Sequence, residues 1–538
     1  MAVLSHVSTW AVGALVLVLL LRRCLTPGKQ IRRHGKRLRK APDTLPLVGN
    51  GILFMQERQK LFAWFTKCER LADYETLQVS VPTLPPGIVV HDPLNLDFIF
   101  RNESLFSKGS FVKSRAWDLF GHGIINADGE AWRLQRKAGA AFLSTANLRV
   151  LTDVALPRFL GEELDRLKRV ADAGGTVDLQ EVFHEITTRL MGKMAYNMDM
   201  HTDDAFTTAF DHASGATALR FQNPLWPLTE LITGRRFRRS VATVKSFGQK
   251  IVASAVADRH SSQRSTPDPK AVSDNTADTN AEKLDQISGT LIHSFLDTIP
   301  DHQVVADAAL NYLSAGRDTT AQALTWTFHL LFRSPQALSQ IRSEALAVLN
   351  SAPDAKNNRG NSNSNPLARL TPQSLPYTLA TLYESLRLYP PIPLEIKQLV
   401  SSRPVTLPDG TVLPPDSVVV WCPWALGRSR RTWGPDADSF RPERWLVFSD
   451  SDSTGKKKGP PTMVQRPASE FPVFNGGPRS CLGKKMAEVI GCQVIAAVAV
   501  GFDLEPVDDG KGRGERRSKI SLTLPMEGGL PVTVRRRT

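Results

Sequence analysis

The residue types best able to do chemistry are gathered in FPVFNGGPRSCLGKKMAEVIG, residues 471–491. Cys481 follows Gly477 by four positions and Arg479 by two, precedes Gly483 by two, and stands where an amphipathic helix begins. A helix N-terminus and a nearby arginine both favour a negative sulfur, and the first amides of the helix can donate hydrogen bonds to it. Gly476, Gly477 and Gly483 would let backbone approach a flat ligand where any Cβ would clash. Phe474 would cover the sulfur from water. The competing reading of a lone cysteine is a buried structural residue in a glycine-rich turn.

Three further stretches carry chemistry in the right residue types. AGRDTT, Ala315 to Thr320, sets an acid and an alcohol side by side on a helical segment. Such a pair can relay protons into a site that excludes water, and a threonine bonding back to the preceding turn bends a helix. ESLR, Glu384 to Arg387, puts an acid and a base one turn apart, which alone is a common surface ion pair. DGEAWRLQRK places Trp132 and Arg136 four residues apart, on one face of a helix.

Phe474, Gly477, Arg479, Cys481 and Gly483 fill every fixed position of the pattern F-x-x-G-x-R-x-C-x-G. On these residues, and on the order of the other three stretches, the chain resembles the cytochrome P-450 superfamily of haem-thiolate monooxygenases. The resemblance implies a mainly α fold with small β-sheets. It implies haem b (iron protoporphyrin IX) ligated by Cys481, with Phe474, Gly477, Arg479 and Gly483 around it and with Trp132 and Arg136 at its propionates. Asp318 would relay protons and Thr319 would hydrogen-bond dioxygen. Glu384 and Arg387, with Arg444 of FRPERW, would form a buried structural network. One atom of O2 would enter a C–H bond of a lipophilic substrate. Electrons would come from NADPH through a separate flavoprotein reductase docking near Lys484 and Lys485, with cytochrome b5 as a second donor.

Within the superfamily, GHGIINADGEAWRLQRK, RFQNPLWPL, YPPIPLEIKQL and WALGRSRRTWGPDADSFRPERW are similar to fungal and plant fatty-acid and n-alkane hydroxylases. That similarity implies a substrate pocket lined by Ile125, Ala315, Leu394 and Ile396, with Phe221 and Trp226 at its mouth and Arg220, Arg235 or Arg236 meeting a carboxylate. Two departures stand out. Gly123, Ile124 and Ile125 replace a common Gly-Ile-Phe, and Ala315 occupies the place of a glutamate that some animal relatives bond to haem, so no covalent haem link is expected. A fungal terpenoid or polyketide oxidase would keep all these motifs. A haem-thiolate isomerase or dehydratase usually lacks the acid-alcohol pair that Asp318 and Thr319 supply.

The elements that must position these residues read mainly as helices. Strands are expected near LQVSVP, GIVVHD, PVTLPDGTVLPPDSVVVW and ISLTLPMEGGLPVTV. Residues 261–283, 351–366 and 449–469 are too rich in Ser, Asn, Asp and Pro to bury a core and read as surface insertions. The formal charge of +14 is concentrated: nine Lys or Arg lie between Arg22 and Lys40 with no acid among them, directly after an apolar run. This pattern fits a membrane surface and not a nucleic acid. Residues 1–24 read as an N-terminal transmembrane anchor, 25–50 as a basic, proline-containing linker and 51–538 as the haem-thiolate domain. Positive charge after the helix sets the body in the cytosol, on the endoplasmic reticulum membrane in a single-pass arrangement. Five widely spaced cysteines, odd in number and without a CxxC pair, exclude a disulfide framework and a zinc-ligand pattern.

Overall fold

A 30-residue helix buried on nearly all sides sets the architecture. In HQVVADAALNYLSAGRDTTAQALTWTFHLL apolar side chains occur on every face, so this helix is stable only when buried all round. Asp301 starts it by accepting a hydrogen bond from the Gln303 amide. In the computed structural model of the chain, which describes residues 30–82, 84–202, 204–264, 279–351, 365–447, 461–507 and 516–537, it is the central helix.

The elements that frame the site follow in chain order: α1 (Arg58–Ala72), β1 (Leu77–Val79), β2 (Gly87–Val89), α2 (Pro93–Arg101), β3 (Phe106–Ser107), α3 (Gly109–Phe120), α4 (Gly129–Phe142), α5 (Leu179–Tyr196), α6 (Ala205–Gln222), α7 (Trp226–Thr233), α8 (Arg235–Arg264), α9 (His302–Leu331), α10 (Pro376–Leu388), β4 (Glu395–Leu399), β5 (Val418–Trp421) and α11 (Lys484–Gly501). The central helix α9 packs against α5, α8, α10 and α11. One large apolar cluster runs through these helices. A second, with Ile88, Phe100, Phe106, Val419 and Trp421, lies under the five-stranded sheet.

That sheet has the order β1-β2-β5-β4-β3, with β5 parallel to β2 and antiparallel to β4. Its register sets Val419 opposite Lys397 and Val420 opposite Ile396. The basic stretch is folded onto the body: Arg32–Arg33 and Lys36–Arg37 form a hairpin, and Arg32 pairs with Val412.

Two expectations need correction. ISLTLP alternates like a strand but forms none. Its backbone groups are taken by side chains instead, with the Leu524 amide donating to Gln322, the Leu524 carbonyl accepting from Trp326, and the Thr523 carbonyl accepting from Arg58. Conversely, Glu395–Leu399 and Phe502–Pro506 are strands that sequence patterning missed. The expected anchor and most of the three polar insertions lie outside the described residues. Among the described residues no helix is long and apolar enough to cross a membrane.

Candidate functional site

Cys481 sits in a tight loop just before α11. Its amide donates to the Phe474 carbonyl at 2.7 Å, which folds the segment back on itself. The thiol is reachable by solvent although α11 behind it is largely buried. Surrounding protein pushes its pKa up, while the amides of Gly483 and Lys484 and the charge of Arg136 pull it down. Phe474 packs beside Tyr383 at 6.0 Å between ring centroids, and the Lys484 ammonium lies 5.4 Å from its ring.

The glycines of this loop are constrained by the protein's own packing. Gly477 has φ +62°, and a Cβ there would collide with the carbonyl of Phe100; a Cβ on Gly476 would collide with the Phe100 ring. Both are required by packing against α2. Gly483 makes no such close approach.

Basic side chains gather beside the loop. Arg136 donates to the Ser480 carbonyl at 2.8 Å, so α4 is tied to the residue before the thiol. Arg479 is ion-paired at 2.8 Å with both Glu103 and Asp128, donates to the Ala127 carbonyl at 2.8 Å, and lies 4.3 Å from the Trp132 ring. Lys113 also reaches Asp128, at 2.6 Å. Lys397 was missed in the sequence, since its strand was not recognised and a lone lysine reads as solvent-facing. It is 4 % exposed, its Nζ has no hydrogen-bond partner among the described residues, and burial together with Lys108 lowers its pKa to about 8 against the opposing pull of Glu395.

On α9, beyond the first turn, Ala315 is the one exposed residue, with Gly316 and Thr319 half-buried beside it. The Thr319 hydroxyl donates to the Ala315 carbonyl at 2.7 Å. Asp318 points to the buried side, where it accepts from Arg317 Nε at 2.6 Å and lies 3.8 Å from His184 Nδ1. Arg317 also reaches Thr207 at 3.1 Å and Asp211 at 3.4 Å, both on α6. The protein around Asp211 and the Asp318 charge push its carboxyl up, against the pull of Arg317, although the side chain itself is exposed. The Ile125 amide donates to Asn311 at 3.2 Å, one turn before Ala315, and Gly123 is needed because a Cβ there would strike the Asn311 side chain.

Behind the thiol loop, Glu384 joins four donors. Arg387 binds both its oxygens at 2.7 and 2.8 Å, Arg444 Nε reaches Oε1 at 2.8 Å, Trp445 Nε1 reaches Oε2 at 2.9 Å, and the Arg441 amide reaches Oε1 at 2.9 Å. Arg387 spends its remaining donors on the carbonyls of Gly427, Ala437 and Ser439. Every charge in this buried group is met, the condition under which such a group is tolerated.

The other expected pocket residues are scattered. Leu394 packs with Leu53 and Phe54 against the α1 cluster. Ile396 lies half-buried on β4. Phe221 meets Phe111 edge-on at 6.5 Å, and Trp226 is covered by Arg220 at 4.4 Å. Arg220 is not available for a carboxylate. It already pairs with Asp118 at 2.7 Å and with Glu230 at 2.6 Å. Arg235 and Arg236 are exposed at the start of α8.

A flat macrocycle bearing iron and two carboxylates fits these residues. It needs a thiol open to it, small side chains on a facing helix, and cations with spare donors; here these are Cys481, the Ala315–Thr319 stripe of a helix packed on α11, and Lys397 beside Arg479. Fold and site together define a haem-thiolate protein. The chain belongs to the cytochrome P450 family, whose model matches residues 40–529. It is similar to cytochrome P450 94B1 of Arabidopsis thaliana, 30% identical over 92% of this chain and 91% of that protein. It is also similar to cytochrome P450 94A1 of Vicia sativa, 28% identical over 92% and 90%, and to cytochrome P450 704B1 of Arabidopsis thaliana, 28% identical over 94% and 97%. The protein is an oxidoreductase of the monooxygenase class, with haem-thiolate iron and O2 as the family's reagents.

Proposed function

We propose that the protein hydroxylates a C–H bond of a lipophilic substrate, a fatty acyl chain or alkane, with electrons supplied by a separate NADPH-dependent flavoprotein reductase. The observation that carries this reading is the Ala315–Thr319 stripe: a small residue and a hydroxyl open on an otherwise buried helix, with a carboxylate held directly behind them. When bound, the haem supplies the redox chemistry. Cys481 would hold its iron, while Arg136 and Lys397 would meet its carboxylates beside Arg479, whose own donors are engaged by Glu103, Asp128 and the Ala127 carbonyl.

Thr319 has a rotatable hydroxyl that can leave the Ala315 carbonyl and donate into the open space beside it. Asp318 can hand a proton to that side while Arg317 keeps its carboxylate in place, and Asp211 extends the polar path to solvent. Ile124 and Ile125, fixed through Asn311, give the substrate space an apolar wall and exclude water.

Two features support a membrane location. Residues 2–21 carry the apolar run, and α7 presents Leu228, Leu231 and Ile232 at 62, 77 and 88 % exposure, an apolar face that a bilayer would cover. Lys485 is exposed beside the thiol loop, on the side suited to an acidic reductase surface.

The test is titration of ferric protein with fatty acids, alkanes and terpenoids while following the Soret band, then product analysis with reductase. Saturable shifts with acyl chains, followed by hydroxylated product, are expected. A response to cyclic ligands alone would overturn the acyl reading.

A further inference from the structure

Asp318 is approached from the surface on two sides. On the α6 side stands Asp211, whose side chain is 64 % exposed, and behind it Arg317, whose Nη2 meets Asp211 at 3.4 Å and whose Nε meets Asp318 Oδ1 at 2.6 Å. A guanidinium keeps its proton at any ordinary pH. Arg317 therefore makes this side polar and steadies Asp318, but it does not pass protons from Asp211 to Asp318.

On the other side stands His184 of α5. Its Nδ1 is buried, has no hydrogen-bond partner among the described residues, and faces Asp318 Oδ1 at 3.8 Å. A buried ring nitrogen without a partner costs stability, so its placement calls for a reason. The side chain as a whole is 16 % exposed, and with Nδ1 buried the exposed part of the ring is its far edge, which carries Nε2. One imidazole thus spans from solvent to a buried carboxylate through its own two nitrogens. Surrounding protein lowers its pKa to about 4 against the pull of Asp318, and Arg317 on α9 and the exposed Lys519 add to the fall. At neutral pH the ring is uncharged, with one nitrogen free to accept a proton.

We infer that His184 passes solvent protons to Asp318. Inserting one atom of O2 into a C–H bond and reducing the other to water consumes two electrons and two protons, and the protons must cross a wall of buried side chains. Nε2 takes a proton from water as Nδ1 gives its own to the Asp318 carboxylate, and a ring flip brings the proton now on Nε2 to the inner side. The 3.8 Å approach tightens to hydrogen-bond length at the moment of transfer, as contacts of this kind do. This rests on the Asp318 relay proposed above and adds the source of its protons.

The experiment compares wild type, His184→Gln, Asp318→Asn and the double variant as holoprotein, with the fatty acid that gives the largest Soret shift. One assay drives product formation with NADPH and a microsomal flavoprotein reductase. The other uses hydrogen peroxide, which brings its own protons and electrons. His184→Gln should lose about tenfold in the first assay and nothing in the second, with the Soret titration and the thiolate carbon monoxide band kept. The double variant should be no slower than Asp318→Asn. A loss shared by both assays, or a double variant slower than Asp318→Asn, overturns the role of His184. Full NADPH-driven turnover in His184→Gln beside a slow Asp318→Asn also overturns it and leaves the Asp318 relay intact, whereas an Asp318→Asn without an NADPH-specific loss overturns both. Nitrogen NMR of the ferrous carbon monoxide form gives a readout without turnover: the imidazole resonance missing from His184→Gln should move in Asp318→Asn, and an unmoved resonance removes the contact. If His184→Gln does not take up haem, His184→Met carries the comparison.

Discussion

Glu384 and Arg444, sixty residues apart, are joined at 2.8 Å between Oε1 and Nε, with both side chains shielded from water. This contact clamps the segment before the thiol loop onto α10. Removing the acid would strand the buried Arg387 and leave Arg444 with Asp436 alone, at 3.2 Å. Glu384→Ala is expected to cost about 3–5 kcal/mol, the usual penalty for leaving half of a buried ionic group. Thermal unfolding and the yield of haem-loaded protein measure this. A variant as stable as wild type would show that the network braces nothing.

Gly477 offers a matched comparison. At Gly477 the backbone has φ +62° and a Cβ would meet the Phe100 carbonyl, whereas at Gly129, with φ +57°, nothing lies within 4 Å. Gly129→Ala should cost about 1 kcal/mol from backbone strain alone, and Gly477→Ala more than about 3 kcal/mol because backbone must also move. Equal losses in chemical denaturation would contradict the assignment of Gly477 to α2 packing.

The pH dependence has a defined sign. Burial lowers the His184 pKa from 6.5 to about 4, so the unfolded chain binds a proton in that interval that the folded protein refuses. Stability from this group is therefore complete above about 6.5 and is lost as pH falls toward 4, by up to roughly 3 kcal/mol. Asp211, raised from 3.8 to about 6, acts in the opposite sense: the folded protein holds its proton longer, and stability falls as pH rises through that window. Between pH 4 and 6, stability should thus rise less with pH, or fall, in His184→Gln and rise more in Asp211→Asn, each relative to wild type. Parallel curves would remove both groups from the account.

Much of this was legible in the sequence, and the failures have physical causes. The thiol loop is local, so five positions in ten residues reveal it. Asp318 and Thr319 are adjacent, yet only the fold shows that Asp318 is buried against Arg317 while Thr319 borders the exposed Ala315. Lys397 was illegible because a lone cation outside any motif reads as solvated; what distinguishes it is a buried ammonium with no hydrogen-bond partner among the described residues, which is a three-dimensional fact. Arg220 misled for the reciprocal reason, since its counter-ions lie on α3 and α7.

Oxygen chemistry depends on the proposed proton path. Thr319→Ala should leave substrate binding unchanged while wasting reducing equivalents as peroxide, and Asp318→Asn should slow turnover by about 10²-fold, within the range of a lost proton donor. Stoichiometry of NADPH, O2 and product reports both. Unaltered coupling in Thr319→Ala would remove the hydroxyl from the path.

Membrane association has two sources in this account. Replacing Leu228, Leu231 and Ile232 by serine in the full chain should weaken retention on liposomes at high salt, and deleting residues 2–21 should weaken it further. Retention unaffected by both changes would place the membrane contact elsewhere.

The central claim is ligation of haem iron by Cys481, and the reduced carbon monoxide difference spectrum addresses it directly. Wild type should show the red-shifted Soret band that thiolate ligation gives, and Cys481→Ser should lose it whether or not haem remains bound. Retention of that band in Cys481→Ser would contradict the site described here.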